Sequence, residues 1–421
     1  WDTDAAHHCG HLYVQDASSL LPVAALTSSF EDGVAPRGVR VLDAAAAPGG
    51  KTSALAAWVA PAQGLVVANE PNPGRRRNMV EQLLRTGSMP WIAVTQTDAT
   101  TAAKYWEEEF DAILLDAPCS GEAMTSKGES IGSRWGRVDK VQRLGRLQRQ
   151  LIEATFRTLR PGGVLVYSTC TLNPVENEQV FHHLEQTFAG AVERMPLDDV
   201  PGFSGKTTEH GHARLWPQDY GTGGFFVGRV RKTASVKAAT SLRSEQQSWA
   251  SQKTMNPLPR QDVRIVERAF RGMFDWWPTN DAWDSQILMR RGEEIWLCPQ
   301  DMGRLRPAGL RRSGIVLADL QERNLPAAAN YEWVLSYGHQ LPSDSPGVAC
   351  FDSEGASKFI SGADATPTLT GIERQRGHQA VARHGDFVIG CGRWTESAEL
   401  RNDVPRVWRG DGVILNAAPT L

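Results

Sequence analysis

The stretch Asp111-Ala-Ile-Leu-Leu-Asp116-Ala-Pro118-Cys119-Ser120-Gly121 constrains the fold more than any other. Its apolar run follows a polar, helix-like segment and reads as a parallel strand buried on both faces. The run stops at an acid, a proline, a cysteine and a glycine. Proline removes a backbone donor and ends strand pairing, and glycine permits the turn beyond it. A carboxylate and a thiol are thereby expected at the carboxyl end of a central strand, where open α/β sheets bind their ligands.

Composition narrows the classes. The chain has 421 residues, 41% hydrophobic and 22% charged, enough for two or three domains with substantial cores. No apolar run reaches membrane-spanning length. The chain does not start with Met, and Trp1-Asp2-Thr3-Asp4 is unlike a signal peptide, so an N-terminally incomplete protein is expected. Six cysteines without CxxC spacing form no disulfide framework and favour a reducing cytoplasm. Net charge is −3, so any nucleic-acid contact must come from local clusters such as Arg75-Arg76-Arg77, Arg290-Arg291 and Arg311-Arg312. His7-His8-Cys9-Gly10-His11 imitates a metal cluster, but adjacent histidines diverge and no second ligand group follows at finger spacing. No metal site is expected.

Strands and exit loops recur along the first half. Leu12 to Asp16 reads as a short strand before a capped helix. Gly38 to Asp43 reads as a strand, and Ala44-Ala45-Ala46-Ala47-Pro48-Gly49-Gly50-Lys51-Thr52 as its exit loop, with Thr52 opening a helix. Small residues let a ligand approach the backbone, and free amides at a helix start favour polar or anionic groups. Neither dinucleotide nor phosphate-loop spacing is present, since Ala46 stands where the phosphate loop needs glycine. A second strand ends at Glu70, the position from which a carboxylate accepts ribose hydroxyls. A third ends at Asp98, within reach of an adenine amino group. Acids at three strand ends suit S-adenosylmethionine, which has no phosphate, better than NAD.

Val141 to Leu159 has apolar residues at helical spacing, Arg160-Pro161-Gly162-Gly163 reads as its stop, and Val164 to Cys170 reads as the next strand. Strand–helix–strand crossovers are right-handed, which makes these two strands parallel neighbours. Cys119 and Cys170, 51 residues apart, should then face one crevice.

These motifs carry a resemblance. Asp43-x-Ala-Ala-Ala-Pro-Gly-Gly-Lys-Thr52, Asp116-Ala-Pro-Cys-Ser-Gly121 and Ser168-Thr-Cys-Thr-Leu-Asn-Pro-x-Glu-Asn-Glu178 resemble the motif set of the Nol–Nop–Sun family of S-adenosylmethionine-dependent RNA (cytosine-5)-methyltransferases. Residues 12–232 carry it. Later stretches around Arg290–Leu297, Arg312–Leu317, His384–Gly390 and Leu400–Asn402 look most like the RsmF (YebU) type, which acts on small-subunit ribosomal RNA.

The resemblance implies a Rossmann-like doubly wound methyltransferase domain over 1–232, a linker over 233–254, a small α/β domain over 255–340 and a PUA-like RNA-binding β-barrel over 341–421. It implies Cys170 as nucleophile and Cys119 as the residue assisting product release; sequence order alone does not distinguish them. Asp116 is placed for the cytosine edge or the amino-acid end of the cofactor. The cofactor set is Ala45, Ala46, Ala47, Pro48, Gly49, Gly50, Lys51, Glu70, Arg75, Asp98 and Asp116. Two departures, Ala123 for glycine and Ser126-Lys127 for Arg-Lys, put the loop after the first cysteine motif in question. Trp276 and Trp277 read as core residues rather than base-stacking ones. The rival readings are a transfer-RNA cytosine-5 methyltransferase and a non-catalytic RNA-binding ribosome-assembly factor.

Overall fold

The computed structural model describes residues 5–121, 138–236, 255–277, 285–302, 309–321, 325–370 and 376–410. Ala123, Ser126 and Lys127 lie outside them, as does most of the expected linker.

The first sheet contains β1 (Arg40–Asp43), β2 (Leu65–Asn69), β3 (Ile92–Thr95), β4 (Phe110–Asp116), β5 (Leu159–Thr169), β6 (Val192–Arg194), β7 (Ala213–Leu215) and β8 (Phe225–Lys232). Parallel pairing runs β3-β2-β1-β4-β5, and β8 joins β5 antiparallel. Alternate residues divide between two cores. Ala112, Leu114, Val164 and Val166 pack on one face with Leu55, Val59, Met79 and Leu83, which come from α1 (Gly50–Val59) and α2 (Pro73–Arg85). Ile113, Leu115, Leu165 and Tyr167 pack on the other with Ile152 and Phe156 of α3 (Val138–Thr158) and Phe181 and Leu184 of α4 (Glu178–Thr187). Burial on both faces explains the near-continuous apolar strands, and helices on both faces make the sheet doubly wound. The strand order reverses between β1 and β4, which puts the ligand crevice there.

Local differences from the sequence reading have simple causes. Leu12 to Asp16 pairs with no strand, and the Asp16 carboxylate caps the 3-10 turn Ala17–Leu20. α1 opens at Gly50 rather than after Thr52, because Gly49 adopts φ 111° and turns the chain into the helix two residues earlier. Arg160–Gly163 lies within β5: α3 ends at Thr158, and these residues form an excursion opposite Phe110–Ala112.

A second sheet is built from β9 (Asn256–Pro257), β10 (Gln286–Arg291), β11 (Glu294–Pro299), β13 (Ile315–Gln321) and β14 (Leu325–Ala329). The strand between them, β12 (Leu310–Ser313), leaves this sheet and pairs antiparallel with β3, so the C-terminal half completes one edge of the first sheet. Trp276 packs on Trp333 and Tyr337, and Trp277 on Phe270, both partly buried against the core.

The last sheet runs β16-β15-β17-β18-β19, from Val348–Cys350 (β15), Leu369–Thr370 (β16), Gln379–His384 (β17), Phe387–Trp394 (β18) and Leu400–Asn402 (β19). Ala365, just before β16, bridges Leu400 of β19, so the sheet curls back on itself towards a barrel. The histidine-rich N-terminus packs here: His8 Nε2 lies 2.8 Å from the Trp408 carbonyl and His11 Nε2 3.0 Å from that of Val388. No group of three metal-ligating side chains occurs among the described residues. No helix there is long and apolar enough to cross a membrane.

Candidate active site

β4 and β5 are parallel neighbours with Asp116 opposite Ser168, so their exit loops emerge side by side. Pro118 and Gly121 (φ 71°) turn the first loop, and Cys119 Sγ comes to 3.1 Å from Cys170 Sγ. Asp116 lies between two donors: Lys51 Nζ at 2.7 Å and Ser168 Oγ at 2.8 Å. Lys51 in turn stands 5.5 Å from the centre of the Phe225 ring. Cys119, Cys170, Asp116 and Lys51 therefore meet in one crevice, although they come from three separate loops.

The thiol–thiol hydrogen bond acts oppositely on its partners. It is the main cause holding Cys170 below the ordinary thiol range; burial and Asp116 oppose it, and Lys51 assists. The same bond, reinforced by burial, pushes Cys119 well above that range. The direction of both shifts makes Cys170 the thiol that ionises first, with Cys119 then donating to it, and the thiolate is the nucleophilic form.

A buried polar network sets this geometry. Glu176, fully buried, accepts from the Ser120 amide at 3.0 Å, from Gln148 Nε2 at 2.8 Å and from Asn173 Nδ2 at 2.8 Å. Gln148 also donates to the Pro118 carbonyl at 2.9 Å. The loop of Cys119 is thus bonded to the loop after Cys170 through one carboxylate and one amide. Gly145 lets α3 come close enough, since a Cβ there would lie 3.0 Å from Val175 Cγ1. Gln148 is one residue that sequence reasoning missed. Its signal was a polar side chain on the apolar face of α3, flanked by Leu144, Leu147, Leu151 and Ile152.

The cofactor side is organised differently. Asp43 is buried, accepts from Thr52 Oγ1 at 2.7 Å, and burial raises its carboxyl to about 6. Asn69, also unremarked in the sequence, donates to the carbonyls of Ala44 and Thr97 and accepts from Thr95, so it ties three strand ends together. The loop Ala45, Ala46, Ala47, Pro48, Gly49, Gly50 packs tightly: a Cβ on Gly50 would come 2.7 Å from both Tyr13 and Gln15. Glu70 is buried just past β2 and accepts from the Asn72 amide at 2.8 Å. Arg75 reaches both Glu70, at 3.3 Å, and the Ala47 carbonyl, at 2.9 Å. Asp98 is exposed and spends one oxygen capping Thr100.

This donor set fits S-adenosylmethionine. The strand ends offer acids for hydroxyl and amino groups, and Lys51, the cation of the loop, is engaged by Asp116 rather than left for a phosphate. The doubly wound sheet, this cradle and the adjoining pair of thiols define an S-adenosylmethionine-dependent RNA methyltransferase.

Residues 35–231 match the model of the family described as 16S rRNA methyltransferase RsmB/F. Ribosomal RNA small subunit methyltransferase F of Aeromonas salmonicida is 35% identical over 408 residues, covering 96% of this chain and 79% of that one. Its counterpart in Shigella boydii is 38% identical over 335 residues, 78% of this chain and 64% of that one. Among solved structures, NSun6 from Pyrococcus horikoshii with SFG is 28% identical and aligns over 54% of this chain and 55% of its own, with a TM-score of 0.46. The sequence relatives carry the assignment: the chain belongs to the RsmB/F family of 16S rRNA methyltransferases.

Proposed function

We propose that this chain methylates C5 of a cytosine in small-subunit ribosomal RNA through a covalent bond between Cys170 and C6. The observation that carries the reading is the approach of the two sulfurs to 3.1 Å beside Asp116. S-adenosylmethionine, when bound by the loop Ala45–Lys51 with Glu70, Arg75, Asp98 and Asp116, supplies an electrophilic methyl group. Everything else is work for the protein.

Cytosine C5 is a poor nucleophile. Addition of the Cys170 thiolate to C6 makes C5 enamine-like and able to take a methyl group. The C5 proton must then leave so that the C6–sulfur bond can break. Cys119 is the base for that step, and its timing follows from the hydrogen bond. While Cys170 is a thiolate, Cys119 is held protonated; once Cys170 is a thioether, that hold is gone and Cys119 deprotonates more readily. The target base must leave its stack to reach the crevice. Asp116, fixed by Lys51 and Ser168, is positioned for the polar edge of that base or the cofactor's amino-acid end.

The domain reading belongs to the same proposal: a catalytic domain over 1–232, a linker over 233–254, a small α/β domain over 255–340 and a PUA-like RNA-binding domain over 341–421. The curved last sheet supports it. Six free cysteines suit a cytoplasmic setting, where assembling small subunits would present the RNA. The relatives' names favour ribosomal over transfer RNA, and the aligned thiols oppose a non-catalytic assembly factor.

The test is incubation with labelled S-adenosylmethionine and unmodified small-subunit RNA, free and within the subunit, followed by mapping of the modified base. Label on cytosine C5 is expected. Label only in transfer RNA, or no transfer to either RNA, overturns the reading.

A further inference from the structure

Most arginines of the first sheet face a carboxylate: Arg40 meets Glu109, Arg160 meets Asp111, Arg194 meets Glu185 and Arg214 meets Glu178. Arg76 and Arg311 do not. Arg76 lies on α2, in the turn after the end of β2, and Arg311 lies on β12, the strand contributed by the C-terminal half. Both guanidinium groups donate to one neutral atom, Gln96 Oε1, Arg311 at 3.0 Å. Neither forms a salt bridge among the described residues. Arg77 adds a third, exposed cation nearby; burial together with the charges of Arg311 and Arg77 makes the protonated form of Arg76 harder to hold, and the charge of Glu70 opposes them only in part.

Two cations bonded to the same oxygen repel each other. A solvated surface gains nothing from that arrangement, whereas an anion set against both guanidinium groups relieves the repulsion. Planar guanidinium forks match phosphate oxygens in particular.

The position identifies which phosphate. Gln96 follows the last residue of β3, so the pair lies on the same carboxyl rim of the sheet as the two thiols. Four strand intervals separate β12 from β4, about 19 Å at the usual spacing. That is too far for the target nucleotide and suits backbone a few nucleotides away.

We propose that Arg76 and Arg311, held together on Gln96, bind a backbone phosphate of the RNA substrate flanking the target cytosine. The site rests on the RNA-methyltransferase reading and specifies how the substrate is held. It also gives the C-terminal half a part in substrate capture through β12, beside whatever the last sheet contributes.

The experiment measures binding of unmodified small-subunit RNA by fluorescence anisotropy across a salt series, using the full chain. The variant Arg76→Gln with Arg311→Gln should weaken binding at least tenfold at low salt and reduce the slope of log affinity against log salt by about 0.7, one phosphate's share on a single strand. Gln96→Glu keeps both arginines but gives them an internal carboxylate, and should weaken binding similarly. Retained S-adenosylmethionine binding in each variant certifies the fold. Wild-type affinity and salt slope in both variants would overturn the inference. Wild-type protein that binds RNA but transfers no methyl would sink the parent reading alone, and the same salt series would still decide the phosphate site.

Discussion

The two sides of the catalytic rim solve different problems with different means. At the β4/β5 side the reacting sulfurs are set by a network centred on the buried Glu176, which accepts from Ser120, Gln148 and Asn173 and so fixes both cysteine loops. At the β1–β3 side the groups that would meet the cofactor hang from a backbone scaffold tied by Asn69 and Asp43, and Arg75 and Asp98 remain exposed. Covalent chemistry needs two atoms held to within fractions of an ångström, which rewards rigidity. A cofactor that must enter and leave at every turnover needs a rim that gives way. Substitutions on the thiol side should therefore damage the rate, and those on the cofactor side should chiefly damage affinity or stability.

The largest effect is expected at the sulfurs. Cys170→Ala should reduce methyl transfer by at least about a thousandfold and give no protein–RNA adduct, because the nucleophile is gone. Cys119→Ala should also stop turnover, but with a covalent adduct accumulating on denaturing gels: losing the Cys119 hydrogen bond raises the Cys170 thiol and slows addition, whereas elimination loses its base altogether. An adduct in the first variant, or unchanged turnover in either, would break the assignment of roles.

Next comes the network. Glu176→Gln keeps the shape but turns one acceptor oxygen into a donor, so the Cys119 loop loses its tie through the Ser120 amide and keeps only that from Gln148 to the Pro118 carbonyl, while Cys170 keeps its own strand. If Glu176 positions Cys119, this variant should accumulate the adduct, as Cys119→Ala does. Glu176→Ala should in addition cost roughly 3 kcal/mol of stability by stranding buried donors, measurable by denaturant titration. A stability loss without adduct would make the network structural only.

Asp43 tests the cofactor side. Its carboxyl is raised to about 6 in the fold and ordinary when unfolded, so the folded state binds the proton more tightly. Its contribution to stability is present below about pH 4 and is lost as pH rises through about 6. Relative to Asp43→Asn, wild type should lose about 3 kcal/mol between these limits, read from urea midpoints at several pH values. A flat difference would mean that the loop relaxes enough to hydrate the acid.

How much of this was legible in the sequence follows from what each feature depends on. The two thiols could be brought together from 51 residues apart because crossover handedness and buried strand runs are strong rules, and Asp116–Gly121 breaks its strand unmistakably. The packing of Trp276 and Trp277 against the core could be read because large aromatic side chains at the end of an amphipathic helix gain most by covering it. By contrast, the course of β12 was hidden. Leu310–Ser313 has the pattern of any short strand, and nothing local says that its partner is β3, more than 200 residues earlier, rather than its own hairpin neighbours. The convergence of Arg76 and Arg311 was hidden with it. Asn69 and Gln148 were visible as letters, but their roles depend on hydrogen bonds across three loops. The strand expected from Leu12 onward has residues of strand type and pairs with no strand, because propensity alone does not supply a partner.

The smallest effects should come from the two acids of the adenosine cradle, and their ranking is the sharpest probe of the contrast between the sides. Glu70 is buried, accepts from the Asn72 amide and faces Arg75, so its orientation is set before any ligand arrives. Asp98 is exposed and already uses one oxygen on Thr100, leaving less to offer and more water to compete. Glu70→Gln should weaken S-adenosylmethionine binding about tenfold, near 1.4 kcal/mol. Asp98→Asn should weaken it only about two- to threefold, with maximal velocity nearly retained in both. Calorimetric titration of the cofactor separates these outcomes. If the two variants lose affinity equally, preorganisation by burial contributes nothing on this side of the rim, and Arg75 rather than Glu70 becomes the residue on which the ribose contact depends.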